Sequence, residues 1–237
     1  LMRFGLPSGL TGMLDVLVWA MFVGLIGRLG TTHLTATTAA FSINQLAFMP
    51  MLGIGVALST LVGRRQGEHR PDVAAHTVWS GIHLVTVYMF TIAACYVLVP
   101  RLFLAPLAAY ADPAEFRTYA ATTIVLLRYV ALYTVFDGFT ISFVSALRGA
   151  GDTRFPLIAM VAVSYGLVVV PSWLLYATGH ATIYRLWACA AACVIVLSVV
   201  MLLRFLGGKW RSMRVIEEEV APPYITPHAD VPPLDIE

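Results

Sequence analysis

The sequence predicts an all-α polytopic membrane protein in which six transmembrane helices form one lobe. Of its 237 residues, 59% are apolar and only 12% are charged, whereas about one quarter of an ordinary soluble domain is charged. Apolar runs of roughly 20 residues, long enough to cross a bilayer as a helix, recur along the chain. Polar segments bearing glycine and proline separate these runs, so each run is predicted as a separate span.

Six spans follow one another in chain order, and together they assign residues 1–206 to the transmembrane lobe. They cover about residues 4–26, 38–62, 73–99, 118–147, 155–178 and 183–205. The first run is too long and too polar at its flanks for a cleaved signal peptide. Because the chain opens on Leu1, we expect it to be a fragment or a domain of a longer protein.

The cationic side chains are divided unevenly between the two sides of the predicted membrane. The connections after the first, third and fifth spans carry four of them: Arg28, Arg101, Arg117 and Arg185. The other side carries ten: Arg3, Arg64, Arg65, Arg70, Arg148, Arg154, Arg204, Lys209, Arg211 and Arg214. Cytoplasmic loops carry the excess of Lys and Arg. We therefore predict a multi-pass protein of the cell inner (plasma) membrane, with both ends of this chain in the cytoplasm.

Residues 207–237 differ in composition from the predicted spans. The segment is first basic and then acidic and rich in proline. We predict a cytoplasmic tail whose basic part contacts anionic lipid headgroups. The remainder of the tail is predicted to be disordered, because it has little apolar surface to bury.

Several function classes lack their sequence signatures. The three cysteines fall inside apolar runs, where they are typical of small core residues. Nucleotide-binding loops, zinc-ligand spacings, nucleophile motifs and nucleic-acid modules are not found. The sequence therefore predicts neither an enzyme nor an ATP-driven pump, with no cofactor and no nucleic-acid partner.

Two acidic residues lie inside predicted spans, and these are the leading functional candidates. Asp15 is twelve residues after Arg3, and Asp137 is eleven residues before Arg148. At a rise of about 1.5 Å per residue, each carboxylate lies roughly 17 Å from the same membrane face. Charged groups inside a membrane are costly and usually mark a functional site. The matched depth therefore predicts that two antiparallel helices present their carboxylates to one site.

Tyr133 precedes Asp137 by four residues and is expected on the same helix face. Two carboxylates and a phenol at one level can coordinate a small hard cation or share and release a proton. An alternative is that each aspartate is satisfied separately, by a neighbouring hydroxyl or by Arg128, and only stabilises packing. Arg128 is nine residues from Asp137, so we expect it on the opposite face, with its charge directed toward the headgroups.

Asn44 and Gln45 interrupt the second span shortly before Pro50. Polar residues inside membranes commonly form hydrogen bonds between helices. They also line substrate cavities, so both interpretations stay open for this pair. No metal site is predicted beyond possible Na⁺ at Asp137, Asp15 and Tyr133.

Three stretches of the sequence resemble the C-terminal half of the multidrug and toxic compound extrusion (MATE) transporters, in particular the NorM-like type. They are FGLPSGLTGMLDV near the start, the stretch at 23–72 that ends in the LVG…G…RP connection, and YTVFDGFTISFVSALRGAGDTRFP at 133–156. The resemblance runs over about residues 3–215. Its most specific part is the LRGAGDTR segment.

The resemblance implies a secondary active transporter with two six-helix lobes that face a central cavity. Such a protein exchanges Na⁺ or H⁺ for organic, usually cationic, compounds by alternating access. The positions similar to the family's cation-coupling residues are Asp15, Tyr133 and Asp137, although the first is usually Glu in the family. One lobe is present here. The resemblance therefore implies an N-terminal six-helix lobe elsewhere, or a second copy of this chain.

Two alternative functions remain open at this point. A flippase for lipid-linked oligosaccharide needs several cations in its cavity for a diphosphate, and here only Arg128 lies within a span. A non-transporting membrane scaffold would use the polar tail to recruit a soluble protein. Deleting residues 216–237 would distinguish a scaffold from a transporter. A scaffold should lose its function, whereas a transporter should largely keep its transport activity.

Overall fold

A computed structural model describes the backbone of residues 2–213, and the side chains of residues 9–213 except those at positions 11 and 110. Over this range the chain is helical with short connections and no strand. A π-helical turn (Tyr165–Val169) joins the sixth helix to the seventh, and a 3-10 turn (Lys209–Ser212) follows the eighth. The α-helices are α1 (Met2–Gly27), α2 (Thr31–Gly67), α3 (Pro71–Leu98), α4 (Pro100–Tyr110), α5 (Pro113–Gly149), α6 (Arg154–Ser164), α7 (Val170–Ala177) and α8 (Ile183–Leu206).

The predicted all-α polytopic architecture is confirmed. Among the described residues, five helical segments are long and apolar enough to cross a bilayer: α2, α3, α5, α8 and the continuous 24-residue segment from α6 to α7. Within α1, residues Gly12–Gly27 form a shorter apolar stretch. The five long segments overlap the second to sixth predicted spans, and the shorter stretch in α1 overlaps the first. The helices α2 and α5, of 37 residues each, extend well beyond the spans drawn for them.

Local sequence signals account for the ends of the long helices. Asp112 caps α5 by accepting hydrogen bonds from the backbone N–H groups of Ala114 (2.8 Å) and Glu115 (3.3 Å), as a helix N-cap does. Gly151, with φ of 92°, lies just after α5, and the N–H of Asp152 then donates to the carbonyl of Leu147 at 2.8 Å. The left-handed conformation of Gly151 turns the chain so that the N–H of Asp152 reaches a carbonyl that would otherwise lack a donor at the helix end.

The helix α5 is the centre of the lobe. In its most apolar 18-residue window 67% of the residues are buried, against 28% in α2 and 22% in α3. It packs against α2, α3 and α8, whereas α1 packs mainly against α6 and α2. A residue in the middle of α5 is therefore surrounded by several other helices.

Small residues bring α2 and α5 into close contact. A Cβ on Gly149 would lie 3.0 Å from the carbonyl carbon of Ser59 and closer still to its oxygen. A Cβ on Gly55 would lie 2.8 Å from Ser145 Oγ, and one on Gly63 would lie 3.1 Å from the carbonyl oxygen of Gly149. Helices in membranes pack through such small residues, which let the backbones approach.

The segment after α8 is folded back onto the lobe. Trp210 is 1% exposed, stacks on Phe205 with ring centroids 5.0 Å apart, and donates from Nε1 to the carbonyl of Phe205 at 2.9 Å. Residues 207–213, assigned to the tail from composition, are thus ordered in the 3-10 turn and its flanks. Residues 214–237, predicted to be disordered, lie outside the described residues.

Candidate cation site

Two of the predicted site residues lie on α5, one helical turn apart. Tyr133 is 4% exposed and belongs to an apolar cluster that packs α1, α2 and α8 against the N-terminal half of α5. Asp137 is half-buried and follows Tyr133 by four residues, so the two side chains share a helix face. A second apolar cluster begins at Phe143 on the C-terminal half of α5. Along α5, Asp137 therefore lies between these two clusters, beside a smaller one that contains Val135 and Met89.

Polar atoms of α3 approach this part of α5. The Thr134 hydroxyl donates to the sulfur of Met89 at 3.5 Å. Tyr96 is 1% exposed, and its phenol lies near that of Tyr133. Its hydroxyl donates to the carbonyl of Ile43 on α2 at 3.3 Å. Tyr133 is therefore held among aromatic and polar groups that are themselves anchored to neighbouring helices.

Asp15 lies on α1 and is half-buried. Trp19 lies one turn further along α1 and packs by its edge against Phe22 and Phe41. Asp15 lines a narrow pocket between α1 and α6, together with Ser164 and Tyr165. Tyr165 begins the π-helical turn, and such turns are frequent at functional sites.

Burial is the main cost of a negative charge at Asp137, and the Asp15 carboxylate adds a weaker repulsion. The helix α1, which carries Asp15, packs mainly against α6 and α2 rather than against α5. Carboxylate and phenol oxygens are ligands suited to a small hard cation. A cation bound between Asp15 and Asp137 would offset the repulsion. The use of these residues for ion coupling stays a prediction.

Sequence reasoning missed a cationic neighbour of Asp15. In the sequence Arg148 marks only the membrane face from which depth is counted, but it is half-buried at the end of α5 and its charge attracts that of Asp15. A long arginine side chain can act on charges away from its own helix position, which residue spacing alone does not reveal. Asp15 thus lies between a carboxylate and a guanidinium that α5 supplies.

The two residues predicted to line a substrate cavity, Asn44 and Gln45, lie on α2 and differ in solvent exposure. Asn44 is half-buried and Gln45 is exposed. The hydroxyls of Tyr96 and Tyr88 fasten α2 to α3 at the carbonyls of the flanking residues, and the Tyr88 bond to Ala47 measures 3.0 Å. The role of Asn44 and Gln45 in a substrate cavity stays a prediction.

Arg128 is exposed, as expected for a cation on the face of α5 opposite Asp137. Within the part of the chain that the structure describes, it forms no ion pair with an aspartate or glutamate. The interpretation in which Arg128 neutralises Asp137 therefore has no support from the packing.

Comparison with known proteins places this architecture among described transporters. The MatE family model matches residues 7–174. The chain is 30% identical over 193 residues to the probable multidrug resistance protein NorM of Brucella suis, covering 76% of this chain and 41% of the relative. With the protein of the same name in Pseudomonas putida it shares 31% identity over 221 residues, or 91% of this chain and 46% of the relative. The chain thus spans less than half the length of these curated relatives.

A similar fold is found in a crystal structure of MATE in complex with MaL6. The two align with a TM-score of 0.78 and 19% sequence identity. The alignment covers 89% of this chain and 47% of the solved one. At this identity the likeness concerns the fold, and it corresponds to about one lobe of the solved chain.

Proposed function

The chain belongs to the MatE family, and on that premise we propose that it forms one lobe of a secondary transporter that exports organic cations in exchange for Na⁺ or H⁺. The members of this family are transporters rather than enzymes. The observation that carries the proposal is that two half-buried carboxylates, Asp15 on α1 and Asp137 on α5, lie inside one membrane lobe, where their charges repel each other.

In the proposed cycle, Asp137 and Asp15 take up the coupling cation and Tyr133 contributes an oxygen ligand. Without the cation the two carboxylates repel each other, so occupancy favours an arrangement in which α1 and α5 approach. The organic substrate favours the other arrangement of the helices. Coupling then requires only that each ligand has a different affinity for the two states.

The protein is a multi-pass membrane protein, and we propose that it lies in the inner (plasma) membrane of the cell. We place its α2–α3 and α5–α6 connections on the cytoplasmic side. Ten of the fifteen Lys and Arg residues of the sequence lie on that side by the predicted topology. This orientation delivers the substrate outward when the coupling cation moves inward along its gradient.

A second six-helix lobe completes the proposed transporter. The chain spans 41% and 46% of the two relatives compared above, and one lobe alone leaves the central cavity open on one side. The partner lobe is then the remainder of a longer protein or a second copy of this chain. The other proposed partners are membrane lipid and the organic substrate.

Substitution of Asp137 tests the proposal. We expect Asp137→Asn to abolish export of a cationic dye from cells, while the protein is inserted and folded as before. Glu115→Gln is the matched control, because Glu115 is an exposed carboxylate at the start of the same helix. Drug-resistant growth of the Asp137→Asn strain at wild-type expression would refute the proposal.

Substitution of Tyr133 tests its role as a ligand separately. Because Tyr133→Phe keeps the ring and removes the hydroxyl, we expect partial transport with a weaker dependence on the coupling cation. Transport rates at several cation concentrations measure this dependence. An unchanged dependence would remove Tyr133 from the site and leave the two aspartates.

A further inference from the structure

Two basic segments that are far apart in the sequence form one surface at the end of the lobe. The last turn of α2 and the loop that follows it supply three cations, and the segment after α8 supplies two more. We propose that this surface, the composite basic patch, binds the phosphate headgroup of an anionic phospholipid. The patch consists of Arg64, Arg65, Arg70, Lys209 and Arg211. The inference goes beyond ion coupling, because none of these residues touches the candidate cation site.

Gln66 joins the two segments. Its side-chain amide nitrogen donates to the backbone carbonyls of Trp210 (3.2 Å), Arg211 (2.8 Å) and Met213 (2.9 Å). These carbonyls belong to the end of a short helical turn, where donors within the helix are lacking. The buried Trp210 ring anchors the same turn from the other side. Lys209 and Arg211 are therefore held beside the α2–α3 connection.

The composite basic patch has more cations than the neighbouring carboxylates can neutralise. Glu68 accepts from Arg64 at 2.9 Å and from Arg65 at 2.8 Å, and these hydrogen bonds hold its pKa below the usual range. Asp72 lies 3.2 Å from Arg211 and is highly exposed. Two carboxylates thus share the surface with the five cations. An anionic ligand matches the remaining charge.

Apolar side chains adjoin the patch and identify the ligand as a lipid. Leu203 is 62% exposed and Leu206 is 59% exposed, both on the last turn of α8 just before Lys209. A phospholipid likewise presents a charged phosphate next to apolar acyl chains. The location, at the end of membrane-spanning helices, is the depth at which headgroups lie. Basic clusters next to a transmembrane helix attract anionic lipids in this way.

The composite construction gives the proposal a specific consequence. A diffuse field of surface charge would depend only on the number of cations. A site assembled from two segments also depends on the contact that joins them. Gln66 carries no charge, yet its removal should loosen the attachment of Lys209 and Arg211 to the α2–α3 connection, because only the Trp210 packing and the Arg211–Asp72 pair then hold this turn.

Native mass spectrometry of the purified protein in detergent tests the proposal, with phosphatidylglycerol as the probe and phosphatidylcholine as the neutral reference. Each cation near a headgroup contributes about fivefold in affinity, or ~1 kcal/mol. We expect the double variant Lys209→Gln with Arg211→Gln to weaken phosphatidylglycerol binding by roughly ten- to thirtyfold. Both side chains are exposed, so this variant tests charge without disturbing the fold.

The Gln66→Ala variant tests the composite construction. We expect it to lower affinity for phosphatidylglycerol by about tenfold, which corresponds to two weakened cation contacts. Gln45→Ala, an exposed glutamine on the same helix, and Arg101→Gln, an exposed cation remote from the patch in sequence, are the matched controls. Both controls should stay within about twofold of the wild type, since neither belongs to the patch.

Three results would overturn the proposal. Unchanged binding in the Lys209 and Arg211 double variant would show that the patch is not the lipid site. Wild-type affinity in Gln66→Ala would show that the site is not composite. Displacement of phosphatidylglycerol by excess inorganic phosphate would show a general anion site instead of a lipid site. The proposal would be supported if phosphatidylglycerol stayed bound in excess inorganic phosphate and if both the double variant and Gln66→Ala bound it more weakly.

Discussion

Replacing Gly149 with alanine tests the packing of α2 against the central helix. Ordinary Cβ contacts begin at 3.4 Å, whereas the new Cβ would lie 3.0 Å from the carbonyl carbon of Ser59 and nearer to its oxygen. Both atoms belong to the backbone, so no rotamer change relieves the overlap. Adding a methyl group to a well-packed core costs about 1–3 kcal/mol, and we expect the upper part of this range.

Gly53→Ala provides the matched control for this substitution. Gly53 also lies on α2, and a Cβ there would meet nothing within 4 Å. Alanine favours a helix over glycine by about 1 kcal/mol, so this variant should be unchanged or slightly more stable. The expected difference between the two variants in free energy of unfolding is therefore about 3 kcal/mol.

Unfolding of the two variants in detergent micelles, followed by circular dichroism as a denaturing detergent is added, measures the difference. The same preparations should be checked for equal expression and a single elution peak. If Gly149→Ala proved as stable as Gly53→Ala, the close approach of α2 and α5 at Ser59 would be wrong. The small-residue account of their packing would then fail.

Three further substitutions test the polar contacts of the lobe. Asp152→Asn should lower the free energy of unfolding by about 3–5 kcal/mol, because it leaves Arg204 without its partner at 2.7 Å in a pair that is 5% and 18% exposed. Asp72→Asn, in an exposed pair, should cost less than about 1 kcal/mol in the same assay. Tyr88→Phe should cost about 1 kcal/mol, since it removes the donor to the Ala47 carbonyl, and no change would show that this bond does not fasten α2.

The transmembrane helices could be predicted because their signal is the length of an apolar run. The six predicted spans all correspond to helical segments, and Pro71 and Asp112 mark helix starts as their chemistry suggests. The helix α4 was missed. Its 11 residues begin directly at Pro100 after Val99 and include Pro106, so the stretch has the length and composition of a loop.

Other features depended on contacts between distant residues, which hydropathy does not record. The docking of residues 207–213 depends on the stacking of Trp210 on Phe205 and on the hydrogen bonds from Gln66 to three backbone carbonyls. A basic segment at the end of a membrane protein gives no sign of this. The π-helical turn also has no residue pattern of its own. At the candidate site, depth arithmetic selected Asp15 and Asp137, but the approach of Arg148 to Asp15 depends on side-chain direction.

A double-mutant cycle on cation binding tests most directly the central claim that Asp15 and Asp137 form one site. Binding of radioactive sodium, or proton uptake if the coupling ion is H⁺, is measured for the wild type, Asp15→Asn, Asp137→Asn and the double variant. When two residues bind the same ligand, the effects of their substitutions on the binding free energy do not add, and the interaction energy between them is about 0.5–3 kcal/mol. The account predicts that each single variant loses at least about tenfold in affinity, or ~1.4 kcal/mol, and that the double variant loses little more. Independent, additive losses would contradict it.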